Sequence, residues 1–213
     1  LFPWVEYIVR FGWCPDGRSV WVQFLDRTQR KTAIVKIPIS NFMSSSEYEE
    51  SGGELDDLCI SRIEIIFEET SDVWINVTNI FYFFNDDGIY HKAEDADLSS
   101  TPTILYDQQT SCTKLFITSE KSGYRHLYLV EKPSAESPDY YVRSITSGNW
   151  PIVDRPIYVD TKKELVYFTA RKDTPLETHL YAASYAENAD PSTVIRLTEL
   201  GYSHTVVMDS KCE

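Results

Sequence analysis

The sequence has 213 residues, of which 42% are hydrophobic and 14% aromatic, so it can build a packed core and is not of a disordered type. Its net charge of −13 argues against binding to nucleic acid or to anionic membranes, because both require clustered lysine and arginine. No apolar run approaches the ~20 residues needed to span a bilayer. The acidic residues concentrate at 47–57 and 86–97, which we interpret as solvated loops.

The ends of the chain and its cysteines give two further expectations. The sequence begins at Leu1 without a starting Met and stops abruptly at Glu213, which predicts a fragment of a longer protein. The cysteines are widely spaced and include no CxxC pair, which favours reduced thiols and a cytoplasmic location: Cys14, Cys59, Cys112 and Cys212.

Strand-forming segments open the chain. Residues 7–11 predict a first strand, and Pro15, Asp16 and Gly17 predict a turn, because proline presets φ and glycine accepts positive φ. Further strands are predicted at residues 20–25, 32–37 and 63–67. Together these segments form one four-stranded meander.

The same plan recurs twice further along the chain. Each unit closes with a threonine followed four positions later by an aromatic residue: Thr70 and Trp74, Thr146 and Trp150, Thr198 and Tyr202. Two His-Leu-Tyr triplets, at residues 126–128 and 179–181, lie 53 residues apart, and Asp107 and Asp160 each stand nineteen residues before one of them. Chance would rarely keep three such features in one order.

Units of four short strands in about 40–50 residues are typical of propeller blades. The sequence therefore predicts an all-β fold, a single partial β-propeller domain with blades at residues 4–74, 75–150 and 151–201. Residues 202–213 are predicted to open the next blade. A β-sandwich also has short strands and frequent turns, but it would not repeat its strand ends at matched positions.

The chain carries no complete pattern for catalysis. It has no GxSxG, no HExxH, no zinc-ligand spacing and no glycine-rich phosphate loop. His126 and His179 occupy equivalent repeat positions, which predicts a shared structural role, with the neighbouring tyrosines in the core. The pair Glu49-Glu50 falls in an acidic loop, and Glu68-Glu69 ends a strand on which adjacent side chains diverge. We predict no catalytic residue, no metal site and no cofactor.

Several short runs stand in a familiar order: residues 5–8, 12–13, 24–27, 73–77 and 80–82, then 123–126, 165–168, 172–177, 179–181, 184–185, 195–198 and 201–204. With these runs the sequence resembles the propeller domain of the dipeptidyl peptidase IV family of serine exopeptidases. Within that family the likeness is stronger to the cytosolic dipeptidyl peptidase 8 and 9 branch. It weakens only in the acidic loops.

The resemblance implies a fragment of an eight-bladed propeller, covering roughly blades five to seven and the opening of the eighth. In this family the propeller caps an α/β-hydrolase domain with a Ser-Asp-His triad, and that domain is absent from these residues. A glutamate pair from an earlier propeller segment holds the terminal ammonium of the substrate. Glu49-Glu50 and Glu68-Glu69 stand in a different sequence context and do not inherit that role.

The resemblance also implies one substrate-proximal position. After the blade-closing tryptophan some family members place an aromatic residue and an arginine at the inner face of the propeller, where this chain has Thr78 and Asn79. The replacement removes an aromatic platform and a cation. A purely structural inner strand, lining a wet channel, is the alternative.

The implied partners are peptide substrates with proline or alanine second, the protein's own C-terminal α/β-hydrolase domain, and a second copy in a homodimer. The implied function of the parent protein is release of N-terminal dipeptides, with this segment as a gate. Two alternatives stay open, a catalytically inactive relative whose propeller is an interaction scaffold and a free-standing binding propeller.

Overall fold

Three antiparallel sheets account for the regular structure of the chain. The computed structural model describes residues 2–42, 49, 63–84, 112–134 and 137–209. Apart from Glu49, both acidic loops lie outside these residues, as do His91 and Asp107. In the described part of the chain no helix has the length and apolar character that crossing a membrane requires.

The first sheet is a meander in which each strand pairs with the next along the chain. Its strands are β1 (Val5–Trp13), β2 (Ser19–Asp26), β3 (Lys31–Pro38) and β4 (Glu64–Thr70), with a 3-10 turn at Ile39–Asn41 after β3. The predicted turn between β1 and β2 is confirmed. Gly17 has a φ of 63°, and the Asp16 carboxylate accepts hydrogen bonds from the Arg18 and Ser19 amides at 2.8 and 3.0 Å.

The second and third sheets repeat this order. The second contains β5 (Phe81–Phe83), β6 (Thr113–Ser119), β7 (His126–Lys132) and β8 (Tyr141–Ser144). The third contains β9 (Tyr158–Asp160), β10 (Leu165–Ala170), β11 (His179–Ser184) and β12 (Ile195–Arg196). The all-β fold with four-stranded units is therefore confirmed.

The core lies between the faces of neighbouring sheets. One apolar cluster joins Ile66 and Phe67 of the first sheet to Leu115 and Tyr128 of the second. A larger cluster joins the second sheet to the third, with these side chains fully or almost fully buried: Phe116, Leu127, Leu129, Trp150, Val166, Phe168 and Tyr181. Sheets stacked face to face in this way are the arrangement of propeller blades, and three of them are fewer than the ~4–8 that close a ring.

The repeated histidines are structural, as predicted. The Nδ1 atom of His126 lies 3.0 Å from Thr146 Oγ1, and that of His179 lies 3.1 Å from Thr198 Oγ1. Each threonine hydroxyl also accepts a hydrogen bond from the backbone N–H that follows its histidine. The adjacent tyrosines, Tyr128 and Tyr181, are buried in the clusters between the sheets, which confirms their predicted place in the core.

The segment after the third sheet differs from the expectation. Residues 203–208 form no β-strand. Their contacts with the third unit include a hydrogen bond from the His204 amide to the Thr178 carbonyl, one from the Tyr158 hydroxyl to the Val206 carbonyl, and packing of Val206 and Met208. The first strand of each sheet pairs with the second strand of the same sheet. Among the described residues there is no second strand with which this segment could pair, and without that partner the strand ladder does not form.

Candidate functional site

A line of polar side chains connects the first strands of the three sheets. It begins at Arg10 on β1, continues through Thr78 and Asn79 just before β5, and reaches Asp154 before β9. In a meander blade that is stacked on others, these first strands share one edge of the stack. The sequence places a polar residue at that edge in each of the three sheets.

Asp154 is the centre of the line because its carboxylate accepts three hydrogen bonds from the preceding unit. Oδ1 accepts from the Thr78 hydroxyl at 3.0 Å and from the Asn79 backbone N–H at 2.8 Å. Oδ2 accepts from the Asn79 side-chain amide at 2.9 Å. Hydrogen bonds to a carboxylate are stronger than those between neutral groups, so Asp154 ties the second unit to the third.

Thr78 is buried, and its hydroxyl is fully used within the protein. It accepts hydrogen bonds from the Thr118 hydroxyl at 2.7 Å and from the Ile80 amide at 3.0 Å, and it donates to Asp154. A hydroxyl has one hydrogen and two lone pairs, so all its capacity is used. Thr78 and Asn79 precede β5 rather than lying on an inner strand, because the β5–β6 ladder begins at Phe81.

Asn79 is exposed, and its side-chain oxygen accepts a hydrogen bond from Arg10 Nε at 3.1 Å. A second bond, from Arg10 Nη1 to the Val9 carbonyl at 2.7 Å, fixes the guanidinium. This edge therefore does carry a cation beside position 79, although the residue at 79 is uncharged. The cation comes from the first sheet instead of from the position that the resemblance suggested.

Arg155 extends the line beyond the third sheet, since its guanidinium donates to the Thr205 hydroxyl at 3.2 Å. The line thus carries a guanidinium at each end, with the exposed Asn79 amide between Arg10 and the Asp154 carboxylate. Such a surface can donate hydrogen bonds to the carbonyl groups of a peptide. It contains neither histidine nor cysteine, so it offers no nucleophile with an adjacent base.

The structure brings Thr78 and Asn79 together and adds Arg10 and Asp154, which the sequence analysis missed. One signal could have found Asp154. The family resemblance implied Thr78 and Asn79, which lie four and five residues after Trp74, and Asp154 and Arg155 lie at the same distances after Trp150. The approach of substrate to Thr78 and Asn79 stays a prediction.

The carboxylates of Glu68 and Glu69 diverge, as expected for adjacent residues of a strand. Glu68 lies 3.5 Å from Lys31 Nζ, whereas Glu69 accepts a hydrogen bond from the Ser119 hydroxyl at 2.8 Å. Burial raises the pKa of Glu69, and the Ser119 hydrogen bond and Lys121 partly oppose that effect. The two groups therefore do not form an acid–base pair.

Comparison with known proteins gives the family. The family model for the "Dipeptidyl peptidase IV (DPP IV) N-terminal region" matches residues 1–213. Dipeptidyl peptidase 8 of Mus musculus and that of Homo sapiens are each 34% identical to this chain over an alignment of 237 residues, which covers 100% of the chain and 24% of each relative. A probable dipeptidyl-aminopeptidase B of Uncinocarpus reesii is 42% identical over 59 residues, 28% of the chain and 6% of that relative.

The chain spans about a quarter of the length of the relatives that it matches throughout. The match extends through all three sheets and through the residues that join them. The chain belongs to the dipeptidyl peptidase IV family and forms part of its N-terminal region.

Proposed function

We propose that the protein carrying this chain is a serine exopeptidase that releases N-terminal dipeptides with proline or alanine in second position. The observation that carries the proposal is the likeness over the whole chain to proteins named dipeptidyl peptidase 8. In this proposal the catalytic serine, histidine and aspartate come from an α/β-hydrolase domain elsewhere in the protein, and no cofactor is needed. The present segment contributes no catalytic residue.

The role that we assign to the segment is a gate, formed by the inner edge of the propeller. The line from Arg10 through Asn79 to Asp154 supports this role, because it offers exposed hydrogen-bonding groups along the first strands of the three sheets. Peptide carbonyl groups could pair there with the guanidinium and the Asn79 amide. Catalysis then remains confined to peptides that enter past this edge.

The remaining partners are part of the same proposal. We assign the cytoplasm as location, the protein's own hydrolase domain as the neighbour of this segment, and a homodimer as the assembly. Reduced cysteines support the first of these, since Cys14 is a buried thiol with no disulfide partner in the described part of the chain. Burial raises the pKa of the Cys14 thiol to about 12, so it is an unreactive side chain.

The test is an assay on the full-length protein with a Gly-Pro amide of a fluorophore. Release of the fluorophore that a serine-reactive inhibitor abolishes would support the exopeptidase. A matched Gly-Gly amide serves as the control for the proline requirement and should be cleaved far more slowly. A folded full-length protein that does not release the fluorophore would contradict the proposal and would favour an interaction scaffold.

A further inference from the structure

A cavity of about 520 Å³ lies between the first and second sheets. One wall consists of β2, β3 and β4, the opposite wall is the end of β6, and residues 70–78, which connect the two sheets, form the third side. This volume is within the range of pockets that hold small organic molecules. The cavity combines a polar floor with aromatic walls, namely Phe67, Trp74 and Phe81.

The floor is a row of three polar side chains on neighbouring strands: Gln23, Thr32 and Glu69. Thr32 and Glu69 are direct partners in the β3–β4 ladder, and Gln23 donates a hydrogen bond from Nε2 to Thr32 Oγ1 at 3.1 Å. The only hydrogen of the Thr32 hydroxyl is donated to the Phe24 carbonyl at 2.8 Å. Thr32 can therefore only accept from Gln23, which fixes the orientation of the Gln23 amide.

This orientation leaves Gln23 Oε1 without a hydrogen-bond partner among the described residues. The Gln23 side chain is only 4% exposed and lines the cavity. A buried acceptor that stays unpaired costs about 1–3 kcal/mol, so a donor inside the cavity would be favourable. A ligand group that contacts this oxygen must therefore be a hydrogen-bond donor.

The charges around the cavity also favour a ligand that donates hydrogen bonds, and specifically a cation. Its lining contains three carboxylates, Glu69, Asp72 and Glu120, and one ammonium, Lys121. Glu120 is already paired with the Arg125 guanidinium at 3.1 Å, which leaves Glu69 and Asp72 in excess over Lys121. The Lys121 ammonium already lies 4.2 Å from the centre of the Tyr128 ring. An anion would face this carboxylate excess, whereas a cation would be attracted by it and by the faces of the aromatic walls.

We propose that this cavity binds a small organic ammonium ion, in which the ammonium donates to Gln23 Oε1 and Glu69 while an apolar or aromatic body contacts Phe67, Trp74 and Phe81. The ligand class is a primary amine on a short apolar stem. The site requires no catalytic activity of the protein, so it is independent of the proposed peptidase function.

The test uses 4-fluorobenzylamine as the probe and 4-fluorobenzyl alcohol as its uncharged control, with fluorine NMR titrations on the full-length protein. A dipeptide boronate at saturating concentration first occupies any peptidase site, so that binding there does not contribute. The amine should bind at least about tenfold more tightly than the alcohol. Equal affinities, or no binding of the amine, would overturn the proposal.

Variants locate the binding. Gln23→Leu and Glu69→Gln should each weaken binding of the amine by about tenfold, and the matched control Glu68→Gln should leave it unchanged, because Glu68 faces Lys31 instead. Trp74→Ala should also weaken binding, and this variant keeps the fold intact because Trp74 is 57% exposed. Unchanged affinity in Gln23→Leu and Trp74→Ala would assign the probe to another site and reject the proposal.

Discussion

Asn79 donates two hydrogen bonds to Asp154, which follows it by 75 residues, one from its backbone N–H at 2.8 Å and one from its side chain at 2.9 Å. This double contact makes the Asp154 carboxylate the connection between the first-strand edges of the second and third sheets. The remaining oxygen of the Asn79 amide is used by Arg10, which extends the connection to the first sheet.

Replacing Asp154 should loosen this connection. In Asp154→Asn one carboxylate oxygen becomes an NH₂ group that cannot accept from the Thr78 hydroxyl or from Asn79. We expect the free energy of unfolding to fall by about 1.5–3 kcal/mol, the range for hydrogen bonds to a charged group. Urea denaturation of the full-length protein measures the change. Asp139→Asn, an exposed change just before β8, is the control and should have no effect.

The stability of the second sheet should depend on the protonation of His126. Burial lowers the pKa of His126 below its usual value, and the hydrogen bond to the Gly148 carbonyl opposes this only partly. The unfolded chain therefore binds a proton more readily than the folded chain. The stability from neutral His126 is fully present above the unfolded pKa of about 6.5 and is lost as the pH falls through the folded pKa.

Urea midpoints at pH 7.5 and pH 5.5 measure this dependence. The midpoint of the wild-type protein should be lower at pH 5.5, and His126→Gln should show a smaller difference between the two conditions because it cannot titrate. An identical difference in the two proteins would show that other groups cause the pH dependence.

Gly148 should tolerate no side chain. Its φ is 132°, and a Cβ atom at this position would lie 2.4 Å from Nε1 of the buried Trp150. Gly123 also has a positive φ, of 98°, but a Cβ there would meet nothing within 4 Å. Gly148→Ala should therefore be more destabilising than Gly123→Ala, by about 1–3 kcal/mol for the added steric conflict. The measurement is the thermal unfolding of both variants. Gly123→Ala introduces backbone strain alone, whereas Gly148→Ala introduces backbone strain and a steric clash with Trp150.

The chain expressed by itself should self-associate. Phe11 and Trp13 on β1 are 74% and 66% exposed, and Ile195 on β12 is 62% exposed, so apolar side chains face solvent at both ends of the stack. Exposed sheet faces and strand edges promote association. Sedimentation velocity should detect oligomers, and changing Phe11 and Trp13 to Glu should reduce them. Leu176→Glu, a loop change at an 88% exposed position, should not. A monodisperse monomer would contradict the prediction.

The strands and the repeat could be predicted from sequence because both depend on local order. Apolar residues bounded by turn residues predicted the strands of the first sheet. The matched positions of the two His-Leu-Tyr triplets in the repeat predicted that His126 and His179 are equivalent. Residues 202–213, predicted to open the next blade, form no strand ladder in their described part, because pairing needs a partner strand, which local composition does not describe. Residue propensity identifies segments that can form strands, but a segment becomes a strand only where a neighbouring strand is available for backbone hydrogen bonding.

The site was only partly predictable for the same reason. Its contacts join residues 69 positions apart, in the case of Arg10 and Asn79, and 75 positions apart, in the case of Asn79 and Asp154. The family resemblance indicated Thr78 and Asn79, but no pattern within one unit shows which side chains of the next unit contact them. The unpaired oxygen of Gln23 could not be predicted from the sequence either, since it depends on which acceptor receives the single hydroxyl hydrogen of Thr32.

The stacking of the sheets has a consequence for strand register in the middle one. Six of the seven residues of β6 and six of the seven of β7 are buried, so both faces of these strands are covered. Hydrophobic alternation normally fixes the register, because a slip by one residue would turn apolar side chains to water. Here such a slip would exchange one buried face for another. The hydrogen bond between Thr146 and His126, and the one that the Thr146 hydroxyl accepts from the Leu127 amide, would be lost in a slipped pairing, so they align β7.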